Sequence, residues 1–393
     1  MHYDQNPFSP KDKECYEKEK KVIKRDIITI ANYFNTAENM TVKSHGNGNV
    51  NDTYIATASD NTRYILQRVN TAIFTSPETV MSNMQLSTEH LQRCIQERVL
   101  DWKVQKIIPA KNQKPYYIHD DGSFWRMISF IEGAHSADIL DSHEKALELG
   151  KAVGLFHSLM AEMPEGSLEY ALEGFHILPQ YLQAYDRVRQ QRSVLPGNRE
   201  IDYALSFIQV HRKEVTRLET GKACGTLPLR VIHGDLKINN IMFSKADDHA
   251  VSIIDLDTVQ PGLIHYDIGD CMRSSCNRDG EETEAWEAVC FDTERLRYIW
   301  RGYLERAHGL MSEEEYAYVY DAIFAITFEI GLRFFTDYLA GNVYFKIHYP
   351  KNNLYRALVQ FRLAQSIHAQ KETISQIIME EKAAYLQHPT ARS

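Results

Sequence analysis

At 393 residues the chain is longer than one ordinary hydrophobic core organises, so it reads as two domains or lobes. Its 44% hydrophobic and 25% charged residues are those of a globular protein. A net charge of −9 excludes a general binder of nucleic acid or anionic membrane, while leaving room for a local basic pocket that takes an anionic small substrate.

The start, MHYDQNPFSPKDKECYEKEKK, is polar and charged, which predicts a mobile tail over residues 1–20. It lacks the apolar centre of a secretory signal, and no later stretch approaches the roughly 20 apolar residues that span a bilayer. A cytoplasmic protein with no membrane partner is the expectation. Apolar residues at helical spacing predict a helix over Val22–Tyr33. Strands follow in Val42–Ala58, Thr62–Val69 and Ser123–Ile131, which are rich in β-branched and aromatic residues and separated by Gly, Asn and Asp. One helix interrupts them, opened by Ser76 as N-cap, Pro77 at the first position and Glu78 near the positive end.

After EGAHSAD the period becomes helical, with Ala146, Leu149, Val153, Phe156 and Met160 on one stripe. Two more helices are predicted near Leu178–Gln191 and Glu200–Leu218, then a strand–loop–strand over Val231–Phe243 and a short strand over Val251–Leu256. From about Glu282 the chain is mostly helical, ending in one long segment from Asn352 to about Leu386. The expected organisation is α+β and bilobal: a β-rich, nucleotide-binding lobe over 21–132 and a helical catalytic and substrate lobe over 133–393, joined near Ile131–Gly133. Of the cysteines only Cys271 and Cys276 are close in sequence, and no His or second pair completes a zinc pattern, so they read as structural thiols.

The chemistry concentrates in VIHGDLKINNIMF, where His233, Asp235 and Asn240 fit H-x-D-x-x-x-x-N, and in VSIIDLDTV, where Asp255 ends a strand and Asp257 follows two positions on. Phosphoryl transfer from a nucleotide needs such groups. The triphosphate is a dense anion that Mg²⁺ must neutralise, and Mg²⁺ takes carboxylate and carbonyl oxygens. Another carboxylate orients the attacking hydroxyl and takes its proton. Asp235 suits the base; Asn240 and Asp255 suit the metal. On a strand Asp255 and Asp257 share a face, whereas in a turn they need not.

Upstream, SHGNGNVNDTYIA offers Gly46, Gly48 and Asn49, whose backbone amides can approach phosphates, or simply a hairpin. The next strand supplies Gln67 and Arg68 where nucleotide kinases keep a cation, with Glu78 or Glu89 as a possible partner for Arg68. Several residues have structural explanations. His157 reads as a packed or capping imidazole, and His265 and Asp267 as loop braces. Asp270 and Arg273 brace the loop or pair with each other, and His233 orients its loop.

HGDLKINN followed by IDLD resembles the catalytic signature of the aminoglycoside phosphotransferase and choline kinase superfamily, and the likeness runs over most of the chain after about residue 25. The strings NDTYIA, YILQRVNTAIF, WRMISFIEG, IDLDTVQPGLIHYDIGD and TFEIGLRFFTDYLAGNVYFK resemble the N-acetylhexosamine 1-kinases within it. The resemblance implies a bilobal protein-kinase-like fold. It also implies ATP- and Mg²⁺-dependent transfer of the γ-phosphate to the anomeric hydroxyl of GlcNAc or GalNAc. Asp235 would then contact the sugar 1-hydroxyl as base, Asn240 and Asp255 would hold Mg²⁺, and Arg333 and Tyr344 would contact the sugar. On residue chemistry alone, Arg333 could equally pair with Asp337 one helical turn later.

One departure is that the superfamily's small-lobe Lys is missing, with only Gln67 and Arg68 on offer. Two alternatives therefore stand. The first is a kinase of another small alcohol, of the aminoglycoside, choline or homoserine type, for whose cationic members Glu329 and Asp337 are the available acids. The second is a non-catalytic nucleotide-binding regulator.

Overall fold

The computed structural model describes residues 26–45, 50–191 and 197–387. The tail over 1–20 and the loop residues Gly46, Gly48 and Asn49 lie outside them. The chain forms two compact units, Met1–Pro77 with Gln105–Phe130, and Glu78–Val104 with Ile131–Ser393.

The first unit is an antiparallel sheet carrying a short helix, α1 (26–31). Its strands are β1 (Thr41–Ser44), β2 (Asp52–Thr57), β3 (Arg63–Val69), β4 (Ile107–Ile108), β5 (Tyr117–Ile118) and β6 (Phe124–Ser129). They run in the order β1-β2-β3-β6-β4, with β5 also on β6. Period-two alternation decides what each face carries. Register pairs Tyr54 with Leu66 and Leu66 with Met127, so these residues share a face. That face, with Ala56 and Trp125, packs against Ile27, Ile30, Ala31 and Phe34. The opposite face carries Thr53, Gln67 and Arg126, which are paired across the three strands.

The second unit begins with α2 (Pro77–Arg98), which starts at the proline the sequence marked. The small-lobe boundary of 21–132 placed this helix with the sheet, but its contacts assign it to the larger unit. Asn83 Nδ2 donates to the carbonyls of Glu169 (2.7 Å) and Val259 (2.9 Å), and His90 Nε2 lies 2.8 Å from the Leu159 carbonyl. Sequence order could not foresee this, because the buried side of an amphipathic helix does not name its partner.

Next come β7 (Ala134–Ser136), α3 (His143–Met160), α4 (Leu178–Gln191), α5 (Arg199–His211), α6 (Arg217–Ala223) and β8 (Arg230–Ile232). They are followed by β9 (Ile241–Ser244), β10 (Ala250–Ile253), β11 (Gln260–Gly262) and α7 (Ile264–Ser275). The chain closes with α8 (Thr293–Ala307), α9 (Glu313–Tyr316), α10 (Val319–Ala340), α11 (Asn352–Ala369) and α12 (Lys371–Gln387). The predicted helix over Glu200–Leu218 is thus broken at His211, and the C-terminal segment is two helices meeting at Gln370.

α10 is apolar on nearly every side and buried along most of its length, as a helix at the centre of a bundle must be. α3 and α8 approach closely because both carry glycine at the crossing. A Cβ on Gly150 would lie 1.9 Å from the Ile299 carbonyl oxygen, and one on Gly302 would lie 2.0 Å from that of Leu147. Among the described residues no helix is long and apolar enough to cross a membrane. The described cysteines carry free thiols, with Cys271 and Cys276 both buried. The architecture is α+β, with a sheet-containing N-terminal region and a mainly helical C-terminal part.

Candidate active site

VIHGDLKINNIMF does form strand–loop–strand, but its strands serve different sheets. β8 pairs with β11, whereas β9 pairs with β10 and β7. The loop between them therefore bridges two sheets, and a 3₁₀ turn at Ile238–Asn240 delivers Asn240 to the start of β9.

Register Ile241↔Ile253 brings the end of β10 beside Asn240, and the Ile254 amide donates to the Asn240 carbonyl at 2.9 Å. Asp255 follows at once, in the left-handed region with φ 67° and ψ 55°. The strand has ended by then, so Asp257 sits in a 3₁₀ turn and shares no strand face with Asp255. A non-glycine residue with positive φ is held there by its surroundings, and such positions concentrate where a side chain must be aimed.

The Asp235 carboxylate lies 2.7 Å from Lys237 Nζ, and the two side chains remain 33% and 31% exposed. Asn240 Nδ2 donates to the Asp235 carbonyl (2.7 Å) and carboxylate (3.2 Å). Burial would raise the Asp235 pKa, but the Lys237 ammonium outweighs it and holds the carboxyl below the ordinary carboxylate value. Lys237 is raised in turn: burial opposes its charge, and Asp235, Asp255 and Asp270 favour it. The sequence's base and both metal candidates are thus brought to one place.

The loop is held by a carboxylate that the sequence treated only as a brace. Asp267 accepts from the backbone amides of His233 and Gly234, both at 2.7 Å, and lies 3.0 Å from His157 Nε2. Burial works against its charge, yet His157, His233 and the amides keep its carboxyl below the usual range. His157 completes the set with Tyr303 Oη at 3.1 Å from its Nδ1, and so it is a packed imidazole as expected. His233 Nε2 lies 2.9 Å from the Ile254 carbonyl, clasping the two catalytic segments together. Gly234 has φ +85°, and a Cβ there would lie 2.8 Å from the Thr258 carbonyl oxygen, so only glycine fits. His265 plays no part in the loop. It rests 2.9 Å from the Glu315 carbonyl, with burial pushing its pKa down to about 4. Asp270 and Arg273 pair at 2.7 Å, and Arg273 extends to Glu281 at 3.3 Å.

Arg333 does not pair with Asp337. It lies 3.6 Å from Glu329 and is ringed by Phe175, Tyr181, Tyr344 and Phe345, with its guanidinium carbon 5.1–6.0 Å from the ring centres. Asp337 instead ties down the following loop, accepting from the amides of Val343, Tyr344 and Phe345 and from Asn353 Nδ2 at 2.8–3.0 Å. Tyr344 is thereby held above Arg333 while remaining 44% exposed.

His176, which carries no motif, joins this cluster to the catalytic loop. Its Nδ1 lies 3.0 Å from Glu329 and its Nε2 lies 2.9 Å from the Gly234 carbonyl. Its φ of 59° is a second left-handed non-glycine residue at the site. Burial disfavours its charged form, but Glu329 more than offsets this and its pKa is raised.

In the smaller unit Gln67 Oε1 accepts from Arg126 Nε (2.9 Å) and Nη2 (2.6 Å), and Gln67 Nε2 donates to Thr53. Arg68 is exposed and belongs to the face that bears α1, paired in register with Asp52 and Trp125. The cation beside Gln67 is therefore Arg126, not Arg68. Its signal was present, as a lone charge inside the apolar strand FWRMIS, but the partner strand was needed to read it.

Asn240 and Asp255 offer only hard oxygen donors. Because the Asn240 amide nitrogen is committed to Asp235, its side-chain oxygen is the atom left for a cation. This donor chemistry fits Mg²⁺ or Ca²⁺.

Known proteins carry the same arrangement of elements. An aminoglycoside phosphotransferase from Alicyclobacillus acidocaldarius is 14% identical with a TM-score of 0.57, covering 96% of this chain and 98% of that one. A microcompartment-associated aminopropanol kinase is 13% identical with a TM-score of 0.60 over 89% and 98% of the two chains. An amicoumacin kinase, in complex with AMP-PNP, Ca²⁺ and Ami, is 13% identical with a TM-score of 0.54 over 90% and 96%. At these identities the likeness is one of fold. Residues 41–299 match the phosphotransferase enzyme family, a span containing all six strands of the smaller unit and the whole Asp235–Asn240–Asp255 constellation. With that match over most of the chain, this protein belongs to the phosphotransferase enzyme family.

Proposed function

We propose that this phosphotransferase is an ATP- and Mg²⁺-dependent kinase of N-acetylhexosamines, forming the sugar 1-phosphate. The observation that carries the acceptor class is the Arg333 nest. A cationic acceptor needs aromatic faces or a free carboxylate. Here the four rings already surround a guanidinium, and Glu329 faces both Arg333 and His176. Asp337, the other acid in this region, is taken up by backbone amides and Asn353. What remains is the Arg333 donor fork beside Tyr344, a partly exposed residue, and both side chains suit the hydroxyl and amide oxygens of a neutral sugar.

In this reading Asp235 accepts the proton of the anomeric hydroxyl as its oxygen bonds to the γ-phosphorus, and ADP departs with the electrons of the broken P–O bond. Lys237 meets the charge that gathers on the transferred group. Asn240 and Asp255 would hold a divalent cation, which when bound neutralises the triphosphate. Within the smaller unit, the paired Gln67 and Arg126 are proposed as a polar group for a nucleotide. The amicoumacin kinase complex with AMP-PNP and Ca²⁺ supports a nucleotide and a divalent ion as ligands.

The direct test offers GlcNAc, GalNAc, choline, aminopropanol and an aminoglycoside with ATP and Mg²⁺, and reads the product by phosphorus NMR. An anomeric phosphate from the N-acetyl sugars is expected. A 6-phosphate, or turnover of the cationic alcohols alone, overturns the proposal. Arg333→Met is expected to raise KM for the sugar by about 10- to 100-fold, the loss of a charge-assisted hydrogen bond, with KM for ATP unchanged. Lys237→Met is expected to move the acid limb of the kcat profile to higher pH, because the cation that keeps Asp235 ionised is gone. An unmoved limb would mean that another group sets it.

A further inference from the structure

Away from the catalytic loop, in the same unit, three potential metal ligands converge. His211 ends α5, Glu214 lies in the 3₁₀ turn that follows, and His368 lies in the last turn of α11. We propose that His211, Glu214 and His368 form a binding site for a divalent transition-metal ion, best matched by Zn²⁺, that staples the α5 end to the α11 end.

The geometry is close to what such an ion needs. Glu214 Oε2 lies 3.5 Å from His211 Nδ1 and 3.8 Å from His368 Nδ1. One donor atom from each residue lies within 4.8 Å of the others. A tetrahedral ion about 2.0–2.1 Å from each donor sets donor–donor edges of about 3.4 Å, so a small rotation of the exposed His368 ring closes the set.

A second observation points to a ligand. His211 is 8% exposed, and its Nδ1 is buried without any hydrogen bond. Leaving a buried imidazole nitrogen unsatisfied is costly, and aiming it at a carboxylate and a second imidazole suits a coordinating lone pair. Both imidazoles are held by aromatic neighbours. Phe207 is 4.5 Å and Phe324 is 5.4 Å from the His211 ring, and Phe324 is 5.7 Å from that of His368.

Access is available. Glu214 and His368 line a cleft of about 480 Å³, through which an ion can enter and water can complete the coordination. Lys213, Arg217 and Lys371 also line it, but Asp321 takes up Arg217 at 3.1 Å and Lys371 lies 5.0 Å over the Tyr320 ring. In that mildly basic setting two imidazoles supply the affinity and select a borderline-soft ion over Mg²⁺ or Ca²⁺. The site adds to the oxygen-ligand site at Asn240 and Asp255 and is distinguishable from it by ligand type.

The test uses the full chain without an affinity tag, in excess Mg²⁺ to occupy oxygen sites. Titration with Co²⁺ is expected to give one equivalent of bound ion with the strong visible absorption of tetrahedral coordination. Zn²⁺ should displace it stoichiometrically and raise Tm. His368→Gln and Glu214→Gln remove partly exposed ligands without opening the core, and each should weaken binding by at least about tenfold while phosphotransfer is retained. His211→Gln should do the same, and the double variant His211→Gln/His368→Gln should abolish the Co²⁺ band. Absence of a stoichiometric tetrahedral Co²⁺ spectrum in the native chain overturns the proposal. So does a spectrum that survives in the double variant, which would place the ion elsewhere, for example on a thiol.

Discussion

Asp235→Asn is expected to lower kcat by about 10²- to 10⁴-fold while leaving ATP affinity close to that of the native enzyme. The amide has the shape of the carboxylate and can still meet Asn240 and the loop, but it accepts no proton and carries no charge for Lys237. The loss therefore falls on the chemical step. Single-turnover kinetics alongside nucleotide titration separate the two quantities. A variant with native turnover would remove Asp235 from the base role. A variant with weak ATP binding would make Asp235 part of the nucleotide site instead.

The largest effect on stability is expected at Asp267, a residue that touches no reacting atom. Asp267→Ala strands the amides of His233 and Gly234 and one nitrogen of His157, all in a buried setting. Removing one member of such a network costs about 3–5 kcal/mol. The urea midpoint should fall accordingly, and kcat with it, because the loop that carries Asp235 loses its anchor. Asp267→Asn keeps one acceptor oxygen and should fall between the two. Equal midpoints for alanine and native protein would show that the loop is held by its flanking strands alone.

His176 shows how the Arg333 nest and the loop that carries Asp235 are one construction. Its ring ties the Gly234 carbonyl to Glu329, and Glu329 lies beside Arg333. A change in the Arg333 nest therefore bears on Gly234, the residue next to Asp235.

Much of this was legible in the residues. The helix at Pro77, α4 at Leu178–Gln191 and the strands β1, β2, β3 and β6 follow from local periodicity and caps, which depend on neighbours a few positions away, whereas the two-residue strands β4 and β5 carry no such signal. The base and both metal candidates came from spacing within one loop and one strand end, which again is local. Beyond the helix breaks at His211 and Gln370, the remaining errors were of one kind. α2 was counted with the sheet, Arg68 was put in place of Arg126, and Arg333 was offered Asp337 as a partner. Each depended on which distant surface a side chain meets.

The sequence by itself thus determined the α+β class, the order of elements and the oxygen-rich constellation at Asp235, Asn240 and Asp255. The tertiary structure alone decided that VIHGDLKINNIMF bridges two sheets, that Asp267 braces it through the amides of His233 and Gly234, and that His176 couples it to the Arg333 nest. It also decided that His211, Glu214 and His368 meet, although His368 is separated from the other two by more than half of the larger unit. The reason is physical. Local propensity and patterning are written every two to four residues, whereas a buried charge is satisfied by whatever group packing brings to it.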